Sequence, residues 1–509
     1  MTAAVSGGAA APAAGRTSAW SLVLPLVLAQ FIASYAGTNM NVAISTIADD
    51  IGTTVAGMQT TITLFTLTMA ALMIPGSKLT DILGRKVCFL AGLTVYGVGA
   101  VIALLAQGLT AMVVGYSVLE GVGSALLIPP IYILITVKFR DTKSRAKYFG
   151  AVSGAAGLGA AAGPLIGGLL TSAVSWRAAF GLQVLVVAVV AVLALRITDE
   201  RPASPRPRFD VVGAVLSAAG LFFVVLGILR SSTYGWFVSR KDFTVGGTVV
   251  IPKGGVSPIW LYIGVGAILL AAFVLYVRRR ERRGREPLVP LRLFRNRTSN
   301  LGLVTQNVQW LTMQGSFFVI SVFLQQVRHY DAIRTGLMLT PATIGILLAS
   351  AAAGRLAQRR SQRFLIRIGF TVTTVGMILL PVFVRDDSGV LSFIPGLLLM
   401  GLGIGVMLTS SVNVVQSAFP EPDQGEISGL SRSVSNLGSS MGTAFAGSIL
   451  VAAAVPGGRP FLLSLVALAV IAALGLVAAL LLPRQPAPAG GGTSDQTTPR
   501  SARSSTAPT

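Results

Sequence analysis

Apolar residues run along this chain in blocks of about twenty, separated by short polar stretches. Fourteen blocks fall at roughly 20–46, 56–76, 87–107, 110–136, 147–173, 178–196, 209–230, 258–277, 299–326, 335–355, 364–384, 389–416, 427–453 and 461–483. As a helix, each matches the ~30 Å hydrocarbon core of a bilayer. The pattern predicts an all-α polytopic membrane protein, and an even number of spans returns both chain ends to one side. After the seventh block, "DFTVGGTVVIP" sets two β-branched runs around Gly246 and Gly247. That reads as an external β-hairpin, either covering the mouth of the molecule or forming a passive loop.

Only 11% of the 509 residues are charged, against about a quarter in a soluble chain, and mean hydropathy is +0.75. A net charge of +22 raises the question of a nucleic-acid partner. The positions of the charges decide against one. With the N-terminus inside, about 30 of the 40 Lys and Arg residues fall in cytoplasmic segments. They include Lys78, Arg85 and Lys86, the runs Lys138–Lys147, Arg196–Arg208, Arg278–Arg297 and Arg355–Arg367, and the tail. The asymmetry predicts cytoplasmic termini, with anionic lipid head groups as partners of the basic loops. Cys88, the single cysteine, reads as a small apolar residue. The start "MTAAVSGGAAAPAAGR" lacks the features of a signal peptide, and the Pro/Gly/Ser/Thr-rich tail 485–509 is expected to be disordered.

An internal repeat appears at an offset of 277, pairing Leu79 with Leu356, Lys86 with Arg363, Gly92 with Gly369 and Gly99 with Gly376. At an offset of 280 it continues through Gly121 with Gly401 and Gly123 with Gly403. Two related halves with a site between them are the usual plan of secondary transporters. The expected units are 1–200 and 299–484, each a six-helix bundle, joined by a linker at 201–298 with two extra spans.

Motifs on this frame carry a family resemblance. "SKLTDILGRK" resembles the loop signature G-x-L-x-D-R-x-G-R-K of the major facilitator superfamily at Leu79, Asp81, Gly84, Arg85 and Lys86, departing at Ser77 and Ile82. "GAVSGAAGLGAAAGPLIGG" fits the antiporter signature G-x8-G-x3-G-P-x2-G at Gly150, Gly159, Gly163, Pro164 and Gly167. The chain is therefore similar to the fourteen-helix drug:proton antiporter branch of that superfamily. The resemblance implies a major facilitator fold, with Asp81 closing the cytoplasmic side against the opposite half. It further implies proton-coupled efflux of lipophilic or cationic compounds. The second copy of the loop has Gln358 in place of the aspartate, so the lock would be one-sided.

Two charges that the branch usually carries are missing. Ala36 stands where an aspartate is usual in helix 1, and Ser117 where an arginine is usual in helix 4. Instead, Glu120 is the one carboxylate deep within an apolar block, and Arg432 the one comparable cation. An ionised carboxylate in hydrocarbon costs roughly 2.5–3.5 kcal/mol on insertion scales. A site alternating between a dry environment and the neighbourhood of a cation can load a proton on one side and release it on the other. Glu120 and Arg432 are thus the candidate proton-coupling or substrate residues, with a hydrogen-bonding strut as the competing role for Glu120. Its repeat counterpart is Met400, so the fold itself does not demand an acid there.

Helix 1 also offers an uncharged polar stripe, Gln30, Ser34, Thr38, Asn41 and Ser45, at spacings of four and three. With Gln306, Asn307, Gln309, Trp310 and Gln314 of the ninth block and Asn436 of the thirteenth, it makes the candidate cavity lining, interhelical bonding being the alternative. No metal-ligand spacing, nucleophile–base set or phosphate loop appears, so no metal, cofactor or enzymatic activity is expected. The reading is a monomeric secondary transporter of a bacterial inner membrane. A facilitator of an endogenous solute or lipid without classical coupling, or a non-transporting receptor or scaffold, remain as alternatives.

Overall fold

The structure, a computed structural model, describes residues 19–139, 142–197, 209–384, 388–420, 423–452 and 459–483. The N-terminal segment, the tail 485–509, residues 198–208 at the start of the linker and the side chain of Gln358 lie outside the described residues. Among the described residues, fourteen long helices follow one another. The first seven are α1 (Ala19–Asp50), α2 (Val55–Leu83), α3 (Arg85–Leu104), α4 (Leu109–Lys138), α5 (Thr142–Ala173), α6 (Trp176–Ala194) and α7 (Val211–Tyr234). The next three are α8 (Ile259–Arg282), α9 (Arg297–Gln326) and α10 (Ala332–Arg359). The last four are α11 (Gln362–Phe383), α12 (Ile394–Gln416), α13 (Gln424–Ala452) and α14 (Arg459–Leu480).

Local chemistry explains the boundaries. Thr54, Ser175, Asp210, Asn296, Asp331 and Ser361 each accept a backbone N–H in the first turn of the helix that follows. Gly84, at φ +101°, ends α2 and starts α3 in a conformation that a Cβ would strain. β1 (Phe243–Val245) and β2 (Thr248–Ile251) pair antiparallel around Gly246 and Gly247, both at positive φ, in the hairpin read from the sequence. Two helices are irregular. A 3₁₀ turn at Met40–Ala43 breaks α1, and α4 is π-helical over Val113–Glu120.

Among the described residues, twelve helices are long and apolar enough to cross a membrane by composition alone. The two that are not, α9 and α13, pack against each other, and their polar residues face inward. α1–α6 form one bundle around a core including Tyr35, Phe65, Phe89 and Phe180. α9–α14 form the second around Phe317, Phe370, Met377 and Met400. α7 and α8 pair through Gly220 and Gly266, and α7 leans on α2 and α13.

The internal repeat is visible in the packing. A Cβ on Gly99 would lie 2.6 Å from the Gly115 oxygen and 2.7 Å from the Glu120 nitrogen. On Gly376 it would lie 2.7 Å from the Gly396 oxygen and 2.5 Å from the Met400 nitrogen. Both halves thus cross the same helix pair backbone to backbone.

The halves meet at both ends of the molecule. At the hairpin end, the Gln325 amide donates to the Asn41 carbonyl and accepts from the Ser45 N–H, each at 2.9 Å, and Gln59 donates to the carbonyls of Thr443 and Ala444. At the opposite, basic end, Lys78 of α2 meets Glu426 of α13 at 3.0 Å. Arg292, on the segment entering α9, holds Asp423 at 2.6 Å and Glu426 at 3.1 Å. α5 and α10 touch toward the hairpin end, at Gly168 with Ala332 and Pro164 with Gly336, whereas Gly150, Gly154 and Gly157 have open space where a Cβ would sit.

Within the antiporter motif, a Cβ on Gly159 would meet the Phe31 carbonyl at 2.3 Å, and Gly163 faces Thr38 and Asn39 as closely. Gly150 meets nothing within 4 Å. Gly159→Ala should therefore cost roughly 1–3 kcal/mol by overpacking and lower the unfolding temperature of the purified protein. Gly150→Ala should leave that temperature unchanged or slightly raised. Equal effects in a thermal-unfolding assay would contradict this packing.

Candidate functional site

A narrow cavity of about 60 Å³ lies between the two bundles. α1 contributes Gln30, Ala33, Ser34, Gly37 and Thr38, which at 100° per residue share one face of the helix. Phe65, Thr66 and Met69 come from α2, Ile128 from α4 and Ala160 from α5. The second bundle adds Trp310 and Gln314 from α9 and Arg432, Ser435, Asn436 and Ser439 from α13. A hydrogen-bond chain crosses the base of this space. Arg432 donates to the Tyr132 hydroxyl, Tyr132 to Gln30 at 3.3 Å, and Gln30 to Ser34 at 3.1 Å. The guanidinium also stands over the Tyr132 ring, 5.0 Å from its centroid.

Seven of the sequence candidates therefore meet here: Gln30, Ser34, Thr38, Trp310, Gln314, Arg432 and Asn436. The other five polar candidates lie elsewhere, Ser45 among them, its hydroxyl accepting from Gln326 at 2.9 Å. Asn41 is buried in the 3₁₀ turn of α1, where its carbonyl accepts from Gln325. Gln306 bonds Ser435 and Ser431, and Asn307 bonds the Val434 carbonyl, both fastening α9 to α13. Gln309, in the amide orientation its surroundings require, donates to Ser411 on α12 at 3.0 Å. Gly438 and Gly442 let α13 approach the α9 backbone closely, which puts these amides within reach of a neighbour. Tyr132, Ser435 and Ser439 escaped the sequence reading. A tyrosine in an apolar helix gave no signal of its partner 300 residues away.

Glu120 does not line this cavity. It is fully buried inside the first bundle, at the last residue of the π-helical stretch, among Tyr35, Tyr96 and Tyr116. Neither carboxylate oxygen makes a hydrogen bond of good geometry among the described residues, although the Tyr96 hydroxyl lies close enough to interact. Tyr96 donates to Gln183 at 2.5 Å and Tyr116 to the Ala36 carbonyl at 2.9 Å. Ile32 and Ala36 lie on the side of α1 opposite its cavity face, so α1 is the wall between the two polar sites. Ser117, one turn before Glu120, bonds the Thr61 carbonyl.

In the loop between α2 and α3, Leu79 and Asp81 end α2, with Lys78 and Arg85 as the nearby cations of Asp81. Lys86 caps the end of α6 by donating to the Leu195 carbonyl at 2.8 Å, a favourable place for a cation. The ion pair across the halves is made by Lys78, one turn before Asp81.

Residues 26–443 match the family model described as Major Facilitator Superfamily, and a second match covers 312–507. A probable actinorhodin transporter of Streptomyces coelicolor is 28% identical over 84% of this chain and 72% of its own length. The tetracenomycin C resistance and export protein of Streptomyces glaucescens is 29% identical over 87% of this chain and 78% of its own. The multidrug transporter protein MdtP of Bacillus subtilis is 24% identical over 84% and 75%. The structure of the human organic anion transporter MFSD10 aligns with a TM-score of 0.56 at 13% identity, over 90% of this chain and 99% of that one. With two six-helix bundles, a pair of inserted helices and a polar cavity between the bundles, this chain belongs to the major facilitator superfamily.

Proposed function

We propose that the protein is a proton-coupled exporter of lipophilic small molecules in a bacterial inner membrane, working as a monomer by alternating access. The observation that carries this reading is Glu120, a fully buried acid with no ion-pair partner among the described residues, separated only by α1 from a cavity between the bundles. The basic end is cytoplasmic in this reading, with its arginines against anionic lipid. Relatives named for antibiotic export and multidrug resistance support the direction of transport.

A drug-sized ligand needs a pocket of roughly 300–1,000 Å³, so a 60 Å³ cavity must open by parting the bundles. Toward the cytoplasm that means releasing Lys78 from Glu426, and toward the outside releasing Gln325 from α1. Protonation of Glu120 changes the charge against the back of α1, where Ala36 replaces the acid usual in the branch. α4 would thus supply from the other side what α1 lacks. The absence of the usual helix 1 acid and helix 4 arginine favours a second reading, facilitated movement without coupling and Glu120 as a strut.

Reconstituted Glu120→Gln separates the two. Accumulation driven by an imposed pH gradient should fall at least tenfold, while exchange of substrate without a gradient continues. An unchanged dependence on the gradient would leave Glu120 a strut. The cytoplasmic gate has its own test. A Cβ on Gly429 lies 3.4 Å from that of Ser77, close to disulfide spacing. With Cys88 replaced by Ala, Ser77→Cys with Gly429→Cys should cross-link on oxidation and stop transport until reduced. Full transport by the cross-linked protein would show that α2 and α13 need not part at this end.

A further inference from the structure

The sequence leaves the substrate lipophilic or cationic; the cavity wall speaks to its charge. Among its described lining residues, Arg432 is the one charged side chain. Among the described residues, the ion pairs use other side chains: Lys78 with Glu426, Arg177 with Asp50, Arg280 with Asp210, and Arg292 with Asp423 and Glu426. Glu120 is no counter-ion to the cavity, because α1 stands between them. Arg432's partner is instead the neutral Tyr132 hydroxyl, and a guanidinium carries five N–H donors. Tyr132 engages a small part of that capacity.

We propose that the central cavity selects weakly acidic or anionic aromatic compounds, with Arg432 as the specificity-determining residue and Tyr132 as the group the substrate replaces. The proposal rests on the exporter reading and deepens it. The chemistry of the contact gives it direction. Tyr132 meets Arg432 as an acceptor, so what displaces it must be a better acceptor, and carboxylate, phenolate or sulfonate oxygens bind guanidinium more strongly than a neutral hydroxyl does. An ammonium group, substituted or not, offers no acceptor and would enter beside an uncompensated positive charge. Trp310 and Phe65 supply flat apolar walls, and Gln314 and Asn436 supply neutral bonds, so an aromatic body suits the remaining lining. Displacement also has a mechanical result. Tyr132 and Arg432 join α4 to α13 across the two bundles, so an anion that takes Arg432 frees that contact and loosens one bundle from the other.

The test uses two probes with one ring system, naphthalene-2-sulfonate and naphthyltrimethylammonium, and the full-length purified protein. Calorimetry should show the sulfonate binding to wild type at least tenfold more tightly than the quaternary amine. Arg432→Gln should abolish this preference by weakening the sulfonate at least tenfold while leaving the amine as strong or stronger. Arg432→Lys should restore part of it. Tyr132→Phe, which removes the competing acceptor, should bind the sulfonate as tightly as wild type or more so. Equal binding by wild type, preference for the amine, or binding of neither probe would overturn the proposal, and this comparison stands even where a variant fails to fold. So would unchanged sulfonate affinity in Arg432→Gln, or weaker affinity in Tyr132→Phe. In proteoliposomes with an imposed pH gradient, export of the amine alone would sink the anion proposal and leave the exporter standing. Export of neither probe, together with tight sulfonate binding, would count against the exporter reading and not against the selectivity of the cavity.

Discussion

A polar group facing hydrocarbon finds no water, and every hydrogen bond it forgoes there costs free energy. That constraint arranges most of this molecule. It makes the spans helical, so that backbone groups bond within their own segment. It also decides which helices touch lipid. α8, with 11% of its most apolar window buried, stands at the periphery, whereas α9 and α13, too polar to cross alone, lie together at the centre. Polar side chains on those two helices have three outlets: another helix, the cavity, or the opposite half. Gln306 and Asn307 take the first, Gln314 and Asn436 border the second, and Gln325 takes the third. Glycine makes these contacts short. Where Gly438 and Gly442 press on the backbone of α9, an amide needs no extended reach to find a carbonyl.

The same constraint makes Glu120 informative. Its surroundings have a control inside the molecule, because Gly99 and Gly376 build the same crossing in the two bundles. In the second bundle that crossing carries Met400, and Thr373 stands where the first has Tyr96. Apolar packing therefore satisfies this site structurally. The first bundle departs from it with an acid, three tyrosines and a π-helical turn, which shifts the register of α4 just where Glu120 lies. A strut would be recognised by the bonds it makes. Among the described residues the Tyr96 hydroxyl lies close enough to interact with Glu120 but makes no hydrogen bond of good geometry to it, and Tyr96 and Tyr116 direct their hydroxyls to Gln183 and to the Ala36 carbonyl.

Much of the architecture was legible because it depends on short-range pattern. Block length marked the spans, the 277-residue offset marked the repeat, and Gly246 with Gly247 marked the hairpin. The site was legible only in part. Helical spacing identified the stripe of Gln30, Ser34 and Thr38, because all three lie on one helix and a period of 3.6 decides their shared face. It could not separate Gln306 from Gln314, since both are amides on α9 and the rotation of that helix against α13 decides which meets the cavity. Nor could it find Lys78 with Glu426 or Tyr132 with Arg432, whose partners come from opposite halves of the chain. The signature loop drew attention to Asp81, while the geometry of α2 turns Lys78, one turn earlier, toward α13. Arg292 was hidden in a basic run that reads equally well as a lipid-facing loop.

What joins the two polar sites is α1. One side of it carries Gln30, tied through Tyr132 to Arg432, and Thr38, which donates to the Ala160 carbonyl of α5. The other side carries the Ile32 carbonyl, 3.5 Å from the Tyr96 hydroxyl, and the Ala36 carbonyl, which accepts from Tyr116 beside Glu120. Its far end stops being α-helical at Met40, where a 3₁₀ turn breaks the helix at the contacts with Gln325, one within the turn at Asn41 and one just after it at Ser45. A continuous helix pinned on both faces and at both ends would resist rotation. A break at the end that seals against α9 lets the longer part turn or tilt without carrying that seal along. A change of charge at Glu120 and a change of partner at Arg432 would then act on the same rod from opposite sides. In the proposed mechanism the thickness of one helix would keep proton and substrate apart while each altered the position of the other's wall.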